Sequence, residues 1–154
     1  MDRFGKQPTL SISFTANFNS YIVNTVPTAE GAIEIAMNET PITIHGSKCL
    51  VTGYGKIGKI LSKMLCGLGA QTYVEARKYA DLAMIEGHGY EPLALSELKS
   101  RIGEFDIIFN TIPAMIFDEK ILKKVKKDAL IIDLASNPGG ADFYFDKVVT
   151  FTHL

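Results

Sequence analysis

From residue 45 onward, short apolar runs alternate with stretches in which apolar residues recur every three or four positions. The apolar runs predict strands at residues 48–52, 71–76, 90–92, 105–110, 129–134 and 147–151. The periodic stretches predict helices at residues 57–68, 79–86, 96–102 and 118–125. Strands that are apolar on both faces and separated by helices are typical of a parallel sheet covered on both sides. The pattern therefore predicts an α/β fold with a doubly wound parallel sheet of about six strands.

The first part of the chain lacks this alternation. Residues 1–26 are rich in Ser, Thr, Asn and Phe, and only residues 10–14 show weak two-residue alternation. An irregular arm, an edge strand and the remainder of a missing domain all fit this composition. Residues 27–31 predict the start of a further helix, in which Glu30 suits the helix dipole and which Pro41 ends. We expect an atypical N-terminal arm over residues 1–26 and one domain over residues 27–154.

Composition narrows the class of protein. Of the 154 residues 47% are hydrophobic and 21% charged, which predicts one globular domain with a sizeable core. A net charge of −1 with mixed signs offers no basic surface for nucleic acid or a membrane. No apolar stretch approaches the ~18 residues of a membrane span, and no secretory signal is visible. Cys49 and Cys66 lie in apolar runs without metal-ligand spacing, so we expect buried free thiols, no metal site and a cytoplasmic protein.

A glycine-spaced turn lies between the first of these strands and the helix that follows. It reads Gly53-Tyr54-Gly55-Lys56-Ile57-Gly58. In this context the spacing is typical of the dinucleotide-binding turn of a Rossmann unit. We expect Gly53 to allow the tight turn, Gly55 to let the backbone approach a pyrophosphate, and Gly58 to let the helix pack close to the strand. The predicted strand order is 3-2-1-4-5-6, with the ligand across the carboxyl ends of the strands.

The end of the second predicted strand bears on the choice of nucleotide. Counting from the preceding turn places Ala76 where NAD-binding units carry an acid for the ribose 2′-hydroxyl. Arg77 and Lys78 follow, and a small residue before two cations favours NADP, because Arg binds phosphate with charge-assisted hydrogen bonds. If the strand ends one residue earlier, Glu75 becomes the ribose acid and NAD is favoured. A third interpretation is that both cations lie in solvent and bind nothing.

Two further strand-end loops are expected to contact the nicotinamide half of the cofactor. Their candidate residues are Asn110, Thr111, Ile112 and Pro113 after the fourth predicted strand, and Ser136 after the fifth. Ordinary turn chemistry is the alternative interpretation. Catalytic residues stay unassigned, because the placement of the histidines predicts structural or solvent-facing positions. The three histidines are His45, His88 and His153.

Several strings occur in the order and at the spacings of one known family. They are residues 27–31 (PTAEG), residues 43–47 (TIHGS), the glycine turn, residues 110–115 (NTIPAM) and residues 130–140 (LIIDLASNPGG). Over residues 24–146 the chain resembles the A subunits of dipicolinate synthase. The resemblance implies a sporulation oxidoreductase with an NAD(P) site, similar to 2-hydroxyacid dehydrogenases. It would make dipicolinate from an intermediate of the dihydrodipicolinate pathway, and its partner would be a flavoprotein B subunit.

The chain also departs from the family pattern. The N-terminal domain of the family is replaced by residues 1–19, and the segment that follows the last predicted strand in the family is missing. We therefore expect nucleotide binding, incomplete substrate machinery and self-association through the surfaces left exposed. The alternative functions are a nucleotide-binding or sensing module without catalysis, and a truncated product.

Overall fold

One parallel sheet organises the molecule. The computed structural model describes residues 25–135 in full and the backbone of residues 11–14 and 148–153. The strands are β1 (Ser11–Phe14), β2 (Lys48–Thr52), β3 (Gln71–Ala76), β4 (Glu91–Ala94), β5 (Ile107–Asn110), β6 (Leu130–Asp133) and β7 (Val148–His153). The helices are α1 (Thr25–Glu39), α2 (Lys56–Gly67), α3 (Tyr79–Gly87), α4 (Leu95–Arg101) and α5 (Glu119–Leu122), with a 3₁₀ turn at Ile102–Glu104.

The sheet order is β1-β7-β6-β5-β2-β3-β4, and every neighbouring pair is parallel. With β2 to β7 counted as one to six, this is the predicted order 3-2-1-4-5-6, so the predicted fold class is confirmed. The prediction of about six strands omitted β1, which pairs with β7 from Ser11↔Thr150 to Phe14↔His153. Of the interpretations of the N-terminal residues, the edge strand is therefore correct for Ser11–Phe14.

The two faces of the sheet bury separate apolar layers. Alternate strand residues point to opposite faces, so Cys49 and Val51 join one layer and Leu50 the other. The first layer packs under α1, α2 and α3, and includes Leu61 and Leu65 of α2. The second layer lies against α4 and α5. Helices on both faces leave the carboxyl ends of the strands as the open edge for a site.

Several element boundaries differ from the sequence prediction. Helix α1 begins at Thr25, because Pro27 fits the first turn of a helix and need not start it. Asp118 caps helix α5, which is a single turn because the amides of Lys124 and Val125 bond three residues back, with Lys124 N donating to Ile121 O at 2.9 Å. No helix in the described ranges combines the length and apolarity needed to cross a membrane.

The expectation of buried thiols is correct for Cys49 and wrong for Cys66. Cys49 is fully buried in β2, and burial raises the pKa of its thiol to about 11. Cys66 is exposed, because it lies off the stripe of α2 that packs on the sheet. Leu68, the last residue of the predicted helix, is also exposed at 38%. Apolar residue type alone did not identify the packed face of this helix.

Candidate dinucleotide site

Gly53 begins the turn between β2 and α2 in a conformation that favours glycine. Its φ is 93°, and its amide donates to the Glu75 carbonyl oxygen at 3.0 Å. A Cβ at this position would lie 2.5 Å from Thr111 Oγ1 and 3.0 Å from the Ile112 Cγ1 atom. The predicted tight turn is therefore present. The missing side chain also lets the loop after β5 pack against the turn.

Gly58 lies in the first turn of α2, and its role differs from the one expected. A Cβ there would collide with the carbonyl oxygen of Gly53, whereas the nearest strand atom, Val51 Cγ1, would be at an ordinary 3.7 Å. The helix therefore lies closer to the turn that precedes it than to the strand. Ser62 supports the same region by donating its hydroxyl to the Gly58 carbonyl oxygen at 2.6 Å. Gly53 and Gly58 therefore hold one compact turn.

Gly55 is the open position of the turn. It is exposed, and an added Cβ would meet no atom within 4 Å. It is also the N-cap of α2, and as a glycine it has no side chain with which to cap the helix. The first turn of a helix leaves its amides without intrahelical partners and carries a partial positive charge, which together form an anion site. Lys56 is exposed beside these amides, while Ile57 is half-buried and packs on the core.

Tyr54 connects the turn to the chain that enters β4. Its hydroxyl lies 3.1 Å from His88 Nδ1, which is also 2.8 Å from the Met84 carbonyl oxygen. Lys59 Nζ lies 5.3 Å from the centre of the Tyr54 ring. Burial, and secondarily the negative charge of Asp81, raise the pKa of Tyr54. His88 is exposed as predicted and lies beside the turn, a connection that the sequence spacing did not indicate.

Strand β3 ends at Ala76, which resolves the register question left open by the sequence. Ala76 is only 5% exposed, and Arg77 and Lys78 follow it as exposed side chains. Glu75 is wholly buried at 0% exposure and pairs in register with Thr52. The small residue, and not the acid, is therefore the last residue of the strand.

A row of buried polar side chains crosses the carboxyl ends of four strands. Glu75, Thr52, Asn110 and Asp133 are in register and each is 0% exposed. Thr52 Oγ1 donates to Asn110 Oδ1 at 2.6 Å, and Asn110 Nδ2 donates to Asp133 Oδ1 at 2.9 Å. From this row the sequence predicted Asn110 as a site residue and Glu75 only as the alternative ribose acid. The row could have been predicted from the polar residues that stand at the ends of these successive strands.

The loop after β5 is fixed at its base and exposed at its tip. Thr111 donates both its amide, at 3.1 Å, and its hydroxyl, at 2.7 Å, to the Thr52 carbonyl oxygen. The amide of Ile112 donates to Asn110 Oδ1 at 3.2 Å. Pro113 is exposed, so its side chain is available at the open edge of the sheet. Ser136, predicted on the neighbouring loop, lies outside the described residues.

The other two histidines lie on different strands or strand approaches. His45 is exposed at the opposite end of the sheet, where its Nδ1 lies 3.2 Å from the Leu68 carbonyl oxygen. The backbone of His153 belongs to β7 and pairs with Phe14, and its side chain lies outside the described part of the chain. Within residues 25–135 no group of three or more His, Cys, Asp or Glu side chains is arranged to hold a metal ion.

Known proteins match this chain over most of its length. The family model described as D-isomer specific 2-hydroxyacid dehydrogenase, NAD binding domain, matches residues 19–138. The chain belongs to this family. Its glycine turn therefore lies in a nicotinamide dinucleotide-binding domain.

Individual relatives and solved structures also resemble this chain. The chain is 43% identical over 124 residues to the A subunit of dipicolinate synthase from Bacillus subtilis (strain 168), a match that covers 80% of this chain and 42% of the relative. The solved structure of the dipicolinate synthase A chain from Bacillus subtilis has a TM-score of 0.80 at 40% identity, and the match covers 86% of this chain and 45% of that one. Glutamyl-tRNA reductase from Methanopyrus kandleri has a TM-score of 0.65 at 25% identity, over 82% of this chain and 35% of its own.

The resemblance to the A subunit of dipicolinate synthase that the sequence strings predicted is confirmed by these matches. The chain spans less than half the length of the relatives it matches. The shared part is the dinucleotide-binding domain, so the activity of a whole relative does not transfer to this chain with the match.

Proposed function

We propose that this chain binds NADP across the carboxyl ends of its strands and acts as the cofactor domain of an oxidoreductase of the dipicolinate synthase A type. The observation that carries the proposal is the open amino end of α2, where the N-cap residue Gly55 has no capping side chain and no atom would lie within 4 Å of an added Cβ. Around it, Gly53 and Gly58 fix a turn in which a side chain would collide with its neighbours. Such a cradle suits the pyrophosphate of a dinucleotide.

The flanking residues have proposed roles along an extended cofactor. Residues 53–58 would bind the pyrophosphate through backbone amides. Arg77 and Lys78 would bind the ribose 2′-phosphate. Asn110, Thr111, Ile112, Pro113 and Ser136 are proposed to line the nicotinamide half. The nicotinamide supplies hydride transfer when bound, and the residues of this chain position it.

NADP is preferred over NAD because of the side chains at the end of β3. NAD-binding units place an acid there for the ribose hydroxyls. Here Ala76 holds the last strand position and Glu75 is buried, so neither residue places a carboxylate at the surface against a 2′-phosphate. Exposed Arg77 and Lys78 supply two cations next to that position.

The activity and assembly are proposed from the likeness to the A subunit of dipicolinate synthase. Residues 27–154 are proposed as the dinucleotide domain and residues 1–26 as its arm, of which β1 joins the sheet. The substrate-side wall would come from another part of the protein or from another chain. We propose a cytoplasmic, self-associating protein that works with a flavoprotein B subunit during sporulation. A dipicolinate formation assay with and without that flavoprotein would separate an enzyme from a nucleotide sensor.

The cofactor proposal is tested by calorimetric titration of the chain with NADPH and NADH. We expect tighter binding of NADPH, and Arg77→Ala should lose most of that preference, about tenfold or more, because charge-assisted hydrogen bonds contribute ~1.5–3 kcal/mol each. Lys99→Ala, an exposed cation on α4, is the matched control and should bind like the wild type. Tighter binding of NADH by the wild type would overturn the preference. No binding of either nucleotide at millimolar concentration would overturn the site.

A further inference from the structure

Glu75 is the one member of the polar row whose side chain is left without a partner in the described residues. Its neighbours Thr52, Asn110 and Asp133 are bonded to one another, but neither carboxyl oxygen of Glu75 makes a hydrogen bond there. The side chain is 0% exposed. A buried, ionised carboxylate without hydrogen bonds is costly, so these surroundings favour the protonated form of Glu75.

Glu75 lies directly beside the glycine turn. The Gly53 amide donates to the backbone carbonyl of Glu75 at 3.0 Å, and Thr52, one residue before the turn, is its partner in register. On its other side β4 presents Leu93, which is apolar. Glu75 thus lies between two neighbouring strands at the base of the proposed phosphate site, and its buried carboxyl is influenced by the Gly53 amide.

The charges that face this carboxyl are few in the described part of the chain. Burial is the largest influence and raises the pKa of Glu75, while the Gly53 amide and the positive charge of Arg77 act in the opposite direction. Tyr73 lies two residues before Glu75, on the same face of β3, and the centre of its ring is 5.5 Å from the guanidinium of Arg101. Asp133 lies at the far end of the row, beyond Asn110.

We propose that dinucleotide binding at the glycine turn is coupled to proton uptake by the Glu75 carboxyl, which holds a proton in the bound state. The inference rests on the proposed dinucleotide site. A polyanion over residues 53–58 would repel an ionised carboxylate next to Gly53, and low-dielectric surroundings strengthen that repulsion. Binding therefore favours the protonated form. By linkage, protonation favours binding to the same degree.

The step is a proton transfer without change of any other bond. One carboxylate oxygen of Glu75 accepts a proton from solvent, and at most one proton is taken up for each dinucleotide bound. Where the free protein holds Glu75 ionised, the dissociation constant then rises by up to about tenfold per pH unit. Where Glu75 is already protonated in the free protein, the coupling vanishes, so a titration over pH locates the transition.

The test compares the wild type with Glu75→Gln, a neutral side chain of similar shape, in calorimetric titrations with NADPH from about pH 5 to about pH 9. Two buffers with different ionisation enthalpies report the protons taken up. We expect the wild type to take up protons and to lose affinity as the pH rises, and Glu75→Gln to lack this component. The titration of the 2′-phosphate of NADPH is common to both proteins and cancels in the comparison. Glu86→Gln, an exposed glutamate on α3, should behave like the wild type.

The outcomes separate this inference from the proposed function. NADPH binding with the same pH dependence in wild type and Glu75→Gln overturns the coupling and leaves the proposed site standing. An absence of NADPH binding in the wild type overturns both. If Glu75→Gln does not fold, proton uptake by the wild type in the two buffers decides, together with the infrared band of a protonated carboxylic acid in protein labelled with ¹³C-glutamate. Disappearance of that band over the pH range in which affinity falls supports the coupling, and its absence at every pH overturns it.

Discussion

The replacement Gly58→Ala probes how closely α2 approaches its own turn. A methyl group at this position would collide with the carbonyl oxygen of Gly53, which is a backbone atom and cannot rotate away. Overpacking of this kind costs ~1–3 kcal/mol. Replacement of glycine by alanine within a helix raises the free energy of unfolding by at most about 1 kcal/mol. The same exchange at Gly67, also in α2, meets no atom within 4 Å and provides the matched control.

We expect Gly58→Ala to be less stable than Gly67→Ala by about 1–3 kcal/mol, since the helical gain is similar and only one variant contains the collision. Equilibrium urea unfolding followed by circular dichroism measures this difference. For a chain of this size it corresponds to a shift in melting temperature of roughly 2–4 °C for each kcal/mol. Equal stabilities, together with unchanged nucleotide binding by Gly58→Ala, would refute the close approach of helix and turn.

Three further predictions concern the sheet and its polar ends. Asn110→Ala should lower the free energy of unfolding in urea by ~2–4 kcal/mol, because the Thr52 hydroxyl and the Asp133 carboxylate each lose a buried partner. Asn38→Ala, at an exposed position, should lower it by almost nothing. Burial acts to raise the pKa of Asp106, but hydrogen bonds from Lys126 Nζ and the Lys48 amide hold it below its ordinary 3.8. The advantage of wild type over Asp106→Asn should thus be present near neutral pH and shrink as the pH falls below about 3.8 in acid unfolding, and a constant advantage would contradict this. With a thiol-reactive dye near neutral pH, Cys66 should react rapidly and buried Cys49, with its pKa of about 11, only after unfolding; rapid reaction of both would contradict the burial of Cys49.

The sequence predicted the order of the strands because near-continuous apolar runs and helical repeats are local signals. It also predicted the glycine turn, since the three glycines lie between a strand and a helix. The strand Ser11–Phe14 was only one of three interpretations, because its stability comes from pairing with residues more than a hundred positions away. Local alternation over so few residues is too weak to indicate such a partner.

The candidate site was predictable in its outline and less so in its contacts. Glu75 lies at a strand end, where a charged residue usually faces solvent, and only the register with Thr52 reveals that it is enclosed. The contact between Gly58 and the Gly53 carbonyl depends on the path of the turn in space. The link between Tyr54 and His88 joins residues on separate loops. Tertiary geometry determines each of these, and spacing along the chain does not encode it.

The central claim is that the amino end of α2 receives a dinucleotide pyrophosphate at Gly55. The most direct measurement is a calorimetric titration of NADPH into wild type and Gly55→Ala. The added methyl group meets no protein atom within 4 Å, so the variant should fold with a stability within about 1 kcal/mol of wild type. We predict that the wild type binds NADPH and that Gly55→Ala binds it at least about tenfold more weakly, because the methyl group occupies the approach of the phosphates. Equal affinity of the two proteins would contradict the account.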